Sequence, residues 1–127
     1  MTRRGELFEG WHERAGEPHA ERRALDVAGA AACGATLYVT LEPCSTYGRT
    51  PPCTEAVIAA GIARVVVGCV DPNPAHAGKG IELLRDAGID VDLANDQECE
   101  RLIETFAWHI LRGTPFVHAK WAMTLDG

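Results

Sequence analysis

Strand-sized apolar runs that alternate with helix-sized segments predict an α/β layer fold built on a mostly parallel sheet. Three observations carry that expectation. The run Ala-Thr-Leu-Tyr-Val-Thr-Leu at 35–41 is apolar and β-rich, as a buried strand is, and 63–70 and 89–93 repeat the signal. Between the first two lies a helical segment, 52–60, with prolines at its start and Gly61 at its end, the asymmetry typical of helix termini. The dipeptides of Asp71-Pro-Asn-Pro74 break the chain into a loop before the next segment.

The remaining elements follow in order. Residues 5–11 read as a short strand and 19–32 as a helix. Residues 80–87 form a helix closed by Gly88, ahead of the strand at 89–93. A last helix over 96–112 carries Cys99, Leu102, Ile103, Phe106, Ile110 and Leu111 at helical spacing, with Asn95 and Glu98 as its capping pair. Residues 116–123 read as a final strand.

Length and composition narrow the class. At 127 residues the chain has room for one core. With 46% hydrophobic and 24% charged residues, it has an ordinary globular composition. No apolar stretch approaches the roughly 20 residues that span a bilayer. The N-terminal Met-Thr-Arg-Arg-Gly-Glu has no apolar run behind it, so no secretory signal is expected and the cytoplasm is the default compartment. Five cysteines, an odd number, favour metal binding or burial over a disulfide framework. A net charge of −6 without a basic stripe argues against nucleic acid as partner and for a small molecule.

The chemistry-bearing residues fall in three segments: His19-Ala-Glu21, Pro43-Cys44 and Cys53. Each lies at or near an expected helix start, where the helix dipole favours thiolate over thiol. One imidazole and two thiolates fill three tetrahedral positions on Zn2+ and leave the fourth for water. Zinc lowers the pKa of that water to about 7. Glu21, two residues beyond His19, sits beside the metal as a proton shuttle and not as a ligand. His-x-Glu followed by Pro-Cys and a second Cys is the zinc-deaminase pattern, although here eight residues separate the cysteines where the general pattern has two. Each motif alone is also what an ordinary helix start or a buried cysteine looks like. A structural zinc site would need a fourth ligand; Cys33 and His12 are the candidates, and neither has zinc-module spacing. Cys33, Cys69 and Cys99 read as core or near-core residues.

Three longer strings carry a family likeness. They are Gly-Trp-His-Glu-Arg-Ala-Gly-Glu-Pro-His-Ala-Glu at 10–21, Gly-Ala-Thr-Leu-Tyr-Val-Thr-Leu-Glu-Pro-Cys-Ser-Thr-Tyr-Gly-Arg-Thr-Pro-Pro-Cys at 34–53, and Asp-Pro-Asn-Pro at 71–74 with Gly-Lys-Gly at 78–80. The sequence resembles the deaminase domain of the bifunctional riboflavin-biosynthesis deaminase–reductases, whose own cysteine gap is eight residues. That resemblance implies a cytidine-deaminase-like three-layer α/β/α sandwich with a mixed, mostly parallel sheet. It also implies a phosphoribosylated diaminopyrimidinone as substrate, with Glu21 catalytic and His19, Cys44 and Cys53 on zinc. His12, Ser45, Thr46, Arg49 and Asn73 fall at its substrate side. From the residues alone, His12, Arg49 and Lys79 also read as solvated loop groups, and Asp-Pro-Asn-Pro as plain turn chemistry.

The sequence departs from that family in three ways. Thr46 stands where the family has His, and Thr carries no charge. The family's first helix and an Asn-Pro-containing strand have no counterpart, so the expected domain is 1–112, N-terminally truncated. Residues 113–127 resemble the opening of an NADPH-dependent reductase domain that is not completed, so no reductase activity is expected. A sheet lacking that strand should leave apolar residues of 37–41 and 65–67 uncovered, favouring poor solubility or a homo-oligomer. Two rival readings stay open: a deaminase of another nucleobase or nucleoside, such as guanine or cytidine, and a zinc-binding remnant with impaired catalysis.

Overall fold

The computed structural model describes residues 5–126. A parallel three-stranded sheet forms its centre, with β1 (Thr36–Leu41), β2 (Arg64–Cys69) and β3 (Asp90–Leu93) in that spatial order. Parallel neighbours need helical crossovers, and the chain supplies them. Helix α1 (Ala20–Ala28) and a 3-10 turn (Gly29–Ala32) lead into β1, α2 (Cys53–Ala59) joins β1 to β2, and α3 (Lys79–Asp86) joins β2 to β3. Helices α4 (Gln97–Leu102) and α5 (Glu104–Arg112) follow.

Register and side-chain alternation place the core. Leu37 pairs with Val65, Val39 with Val67 and Leu41 with Cys69 across β1 and β2, and Val65 with Val91 across β2 and β3. Val65 and Val67 are fully buried with Leu25 of α1, Val57 of α2, and Ile81 and Leu84 of α3. Alternate residues of a strand point to opposite faces, so Val66 and Gly68 face the other way. There α4 crosses: a Cβ on Gly68 would collide with Cys99 and with the Thr40 carbonyl. The sheet therefore has helices on both faces, as expected for this fold class, and its three paired strands are all parallel.

Several expectations need correction. Residues 5–11 contain no strand; Gly10 instead lies tight against α1, where a Cβ would collide with backbone atoms of Ala20 and Ala24. Residues 7–10 and the outer edge of β1 face one another across a cleft of about 340 Å³. The uncovered surface of the sheet is narrower than expected, because Val65 and Val67 are covered by the helices. Tyr38, 61% exposed on the α4 side, does stand open. Residues 116–123 are not a strand either. Phe116 meets α5, its ring edge-on to Trp108 at 5.6 Å beside the Trp108 indole N–H that donates to Thr114 Oγ1, while 117–123 are exposed. A strand signal needs a neighbouring edge to pair with, and none is offered there.

The long C-terminal helix is two. Ile103, at φ −99° and ψ 5°, interrupts it, and β-branched residues are the less costly place for such a break. Neither α4 nor α5 buries a residue, and Leu102, Phe106 and Leu111 are exposed where a core face was expected. Cys33 is likewise exposed, whereas Cys69 is buried and Cys99 half-buried. The cap of α4 is Asp96, not Asn95: its Oδ1 accepts from the N–H groups of Glu98 at 2.7 Å and Cys99 at 3.1 Å, while Asn95 takes a left-handed φ of 50°. Asp96→Ala should therefore lower stability by about 1 kcal/mol, the usual worth of an N-cap, read as a lower midpoint in a urea melt.

Candidate metal centre and active site

Three chain turns converge beyond the carboxyl end of β1. Pro43, fully buried, fixes the chain as it leaves the strand, and Cys44 follows half-buried. Pro52 presets the start of α2, so that Cys53 opens the helix. Two backbone donors of the first turn of α2 then find partners on Cys44: the Cys53 N–H reaches its Sγ at 3.2 Å, and the Thr54 N–H its carbonyl at 3.2 Å. The Thr54 hydroxyl donates to the same carbonyl. His19 is the extended residue that precedes α1, which projects its ring into the same corner.

His19 Nδ1 lies 3.5 Å from Cys44 Sγ and 3.3 Å from Cys53 Sγ. The three ligand atoms all lie within 4.8 Å of one another, the one such grouping of His, Cys, Asp or Glu among the described residues. The electrostatics suit a cation. A hydrogen bond from the Cys53 side chain, helped by the Cys53 backbone N–H and His19, lowers the Cys44 thiol to about 5. The same contact with Cys44, together with burial, pushes Cys53 up. The opposite shifts mark two thiols close enough to compete for charge, and metal binding to such a pair would displace thiol protons. An N, S, S set with three members fits zinc with one position open.

Glu21 sits in the first turn of α1 with its carboxyl against Cys53, and burial raises it above the usual carboxylate range. A carboxyl beside the ligands, without belonging to them, suits proton transfer.

The expected substrate-side residues are distributed unevenly. His12 is brought to the centre: its ring stands edge-on to His19 at 5.2 Å, and its Nδ1 pairs with the Pro18 carbonyl at 3.2 Å. Arg23 of α1 braces this loop through Glu13 at 3.0 Å and Glu17 at 2.7 Å. Ser45, half-buried, and Thr46, exposed, follow Cys44 directly. Arg49 is exposed and leans over Gly16, with its Cδ 3.7 Å from where a Cβ there would sit. Tyr47 donates to Glu55 at 2.8 Å and fastens this loop to α2. Asn73 lies on a separate loop, its side-chain oxygen accepting from the Ala75 N–H at 3.0 Å. Fourth-ligand roles for Cys33 and His12 find no support, since neither belongs to the metal grouping.

One residue of this region was not expected: Glu42. Its carboxylate is 4% exposed and accepts four backbone N–H groups, from Asp71, Gly78, Gly80 and Ile81. An acidic residue closing an apolar strand is the sequence signal that could have pointed to it.

Comparison with known proteins follows the same lines. The family model described as "Cytidine and deoxycytidylate deaminase zinc-binding region" matches residues 1–69. The riboflavin biosynthesis protein RibD of Aquifex aeolicus is 57% identical over 119 residues, covering 93% of this chain and 33% of that protein. The protein of the same name from Synechocystis sp. is 60% identical over 120 residues, covering 94% of this chain and 33% of its own length. The chain thus spans about a third of the curated relatives it matches. Among solved structures, RibD of Acinetobacter baumannii (form 2) matches with a TM-score of 0.88 at 50% identity, over 95% of this chain and 34% of that one. A diaminohydroxyphosphoribosylaminopyrimidine deaminase/5-amino-6-(5-phosphoribosylamino)uracil reductase from Thermotoga maritima matches with a TM-score of 0.86 at 45% identity, over 95% and 36%.

Proposed function

Because the chain belongs to the cytidine and deoxycytidylate deaminase zinc-binding family, we propose that it is a zinc-dependent hydrolytic deaminase acting on a phosphoribosylated diaminopyrimidinone of riboflavin biosynthesis. The observation that carries the chemistry is the convergence of His19, Cys44 and Cys53 with the buried carboxyl of Glu21 against Cys53. The names of the relatives support the choice of substrate.

Zinc held by these three residues would supply Lewis-acid activation of a water at neutral pH. Glu21 accepts a proton from that water and passes it to the ring nitrogen, then takes the proton of the newly added hydroxyl and delivers it to the departing amine. The exocyclic C–N bond breaks, a C–O bond forms, and ammonia leaves. His12, Ser45, Thr46 and Asn73 contact the pyrimidine and ribose side, and Arg49 receives the phosphate, for which its planar fork is well suited. Thr46 hydrogen-bonds without charge where the family's usual His could carry it. The deaminase unit runs to residue 112, 113–127 is the reductase-like opening, and no reductase chemistry is assigned to these residues. The working location is the cytoplasm; among the described residues no helix is long and apolar enough to cross a membrane. Partners are the small phosphorylated substrate and a second copy of the chain across the open edge of β1, with no role for nucleic acid.

Ammonia release by the zinc-loaded chain tests this reading. The phosphoribosylated diaminopyrimidinone should be turned over, and guanine, cytosine and cytidine should not. Preference for a free base or nucleoside would replace the substrate assignment, and zinc binding without turnover of any of them would mean a remnant.

A further inference from the structure

Glu42 is the last residue before Pro43-Cys44, and its side chain reaches the start of α3. There the first helical N–H groups have no partner within the helix. Glu42 Oε1 accepts from Gly80 at 2.8 Å and Ile81 at 3.3 Å, and Oε2 from Gly78 at 2.9 Å and Asp71 at 3.1 Å. Both oxygens are therefore fully engaged, and all four donors belong to one loop and the helix it enters. The loop is itself tied off around Asn73. Asp71 Oδ1 accepts the Asn73 N–H at 2.8 Å, and the Asn73 carbonyl accepts from His76 and Ala77 at 2.8 and 2.9 Å. Gly80 allows the approach, since a Cβ there would collide with the Pro43 carbonyl. Covalent continuity on one side and four hydrogen bonds on the other thus join Cys44 to Asn73.

We propose that Glu42 is a positioning residue for substrate binding, whose carboxylate locks the 71–80 loop carrying Asn73 to the strand end carrying Cys44. This rests on the deaminase reading above. Glu42→Gln keeps the shape but sets an amide NH2 against two of the backbone donors. Gly80→Ala attacks the same joint from the opposite side with Glu42 intact.

The test uses the full chain loaded with zinc. In both variants, amide hydrogen exchange at 71–81 should quicken while that of 20–28 does not change, and zinc should stay at about one per chain. KM for the phosphoribosylated diaminopyrimidinone should rise at least about tenfold, as expected when charge-assisted hydrogen bonds are lost. The kcat should remain within about threefold, because the proton-transfer group is untouched. Glu42→Asp, which retains the carboxylate, should recover part of the KM. Unchanged exchange at 71–81 in both variants would overturn the proposal, as would a fall in kcat with KM unmoved. Should Glu42→Gln fail to fold, Gly80→Ala decides alone by the same readouts. If the unaltered chain turns over no substrate, the deaminase reading fails, and with it Glu42's role in substrate binding, while the exchange result still reports whether Glu42 holds the loop.

Discussion

Glu21→Gln should leave zinc and fold intact and lower ammonia release by about 10²–10⁴-fold, the usual worth of general acid–base catalysis. The substitution keeps the size of the side chain in its buried corner beside Cys53 and removes only the capacity to accept and return a proton. The kcat should carry the loss, since the carboxyl acts on the reacting atoms and not in holding the substrate elsewhere. Metal content and the urea midpoint are the controls. Near-normal ammonia release from this variant, measured under saturating substrate, would assign the proton shuttle to another group.

A second large effect is expected at the metal. Cys44→Ser and Cys53→Ser should each reduce bound zinc from about one per chain to a small fraction of that, because a hydroxyl is a much poorer ligand for zinc than a thiolate. The two variants should differ in their second consequence. Cys44 also holds the first turn of α2, with its sulfur on the Cys53 N–H and its carbonyl on Thr54. A serine there keeps the carbonyl contacts and shortens the reach of the side chain. Cys53 is almost completely buried, so its replacement puts a hydroxyl where a sulfur filled the space. Metal analysis after dialysis, together with the urea midpoint, separates lost ligation from lost packing. Full zinc retention in both variants would remove these cysteines from the ligand set.

The metal corner was legible in the sequence because each ligand lies in a short motif at an element boundary. His19 precedes α1, Cys44 follows β1 and Cys53 starts α2, and the two strands that flank the cysteines were plain from their apolar runs. The placement of Glu21 beside the ligands was legible for the same reason, by its spacing from His19. What the sequence did not show depends on partners far along the chain. The four donors to Glu42 lie 29–39 positions downstream and are backbone groups, so no side-chain pattern marks them. The break at Ile103 and the unpaired 116–123 segment were hidden for a related reason. Periodicity and β-propensity report what a segment prefers, whereas a continuous buried helix or a strand also requires a surface or an edge to receive it. Asn95 has the residue type of a cap, but its left-handed φ passes the capping role to Asp96.

X-ray absorption at the zinc edge of the purified, zinc-loaded chain examines the proposed ligand set most directly. Two sulfurs at about 2.3 Å and light N or O scatterers at about 2.0–2.1 Å are expected, with an imidazole signature among the latter. Replacing Cys44 by Ser should reduce the sulfur count in whatever metal remains. A shell of four sulfurs, or one without sulfur, would contradict a centre built from His19, Cys44 and Cys53.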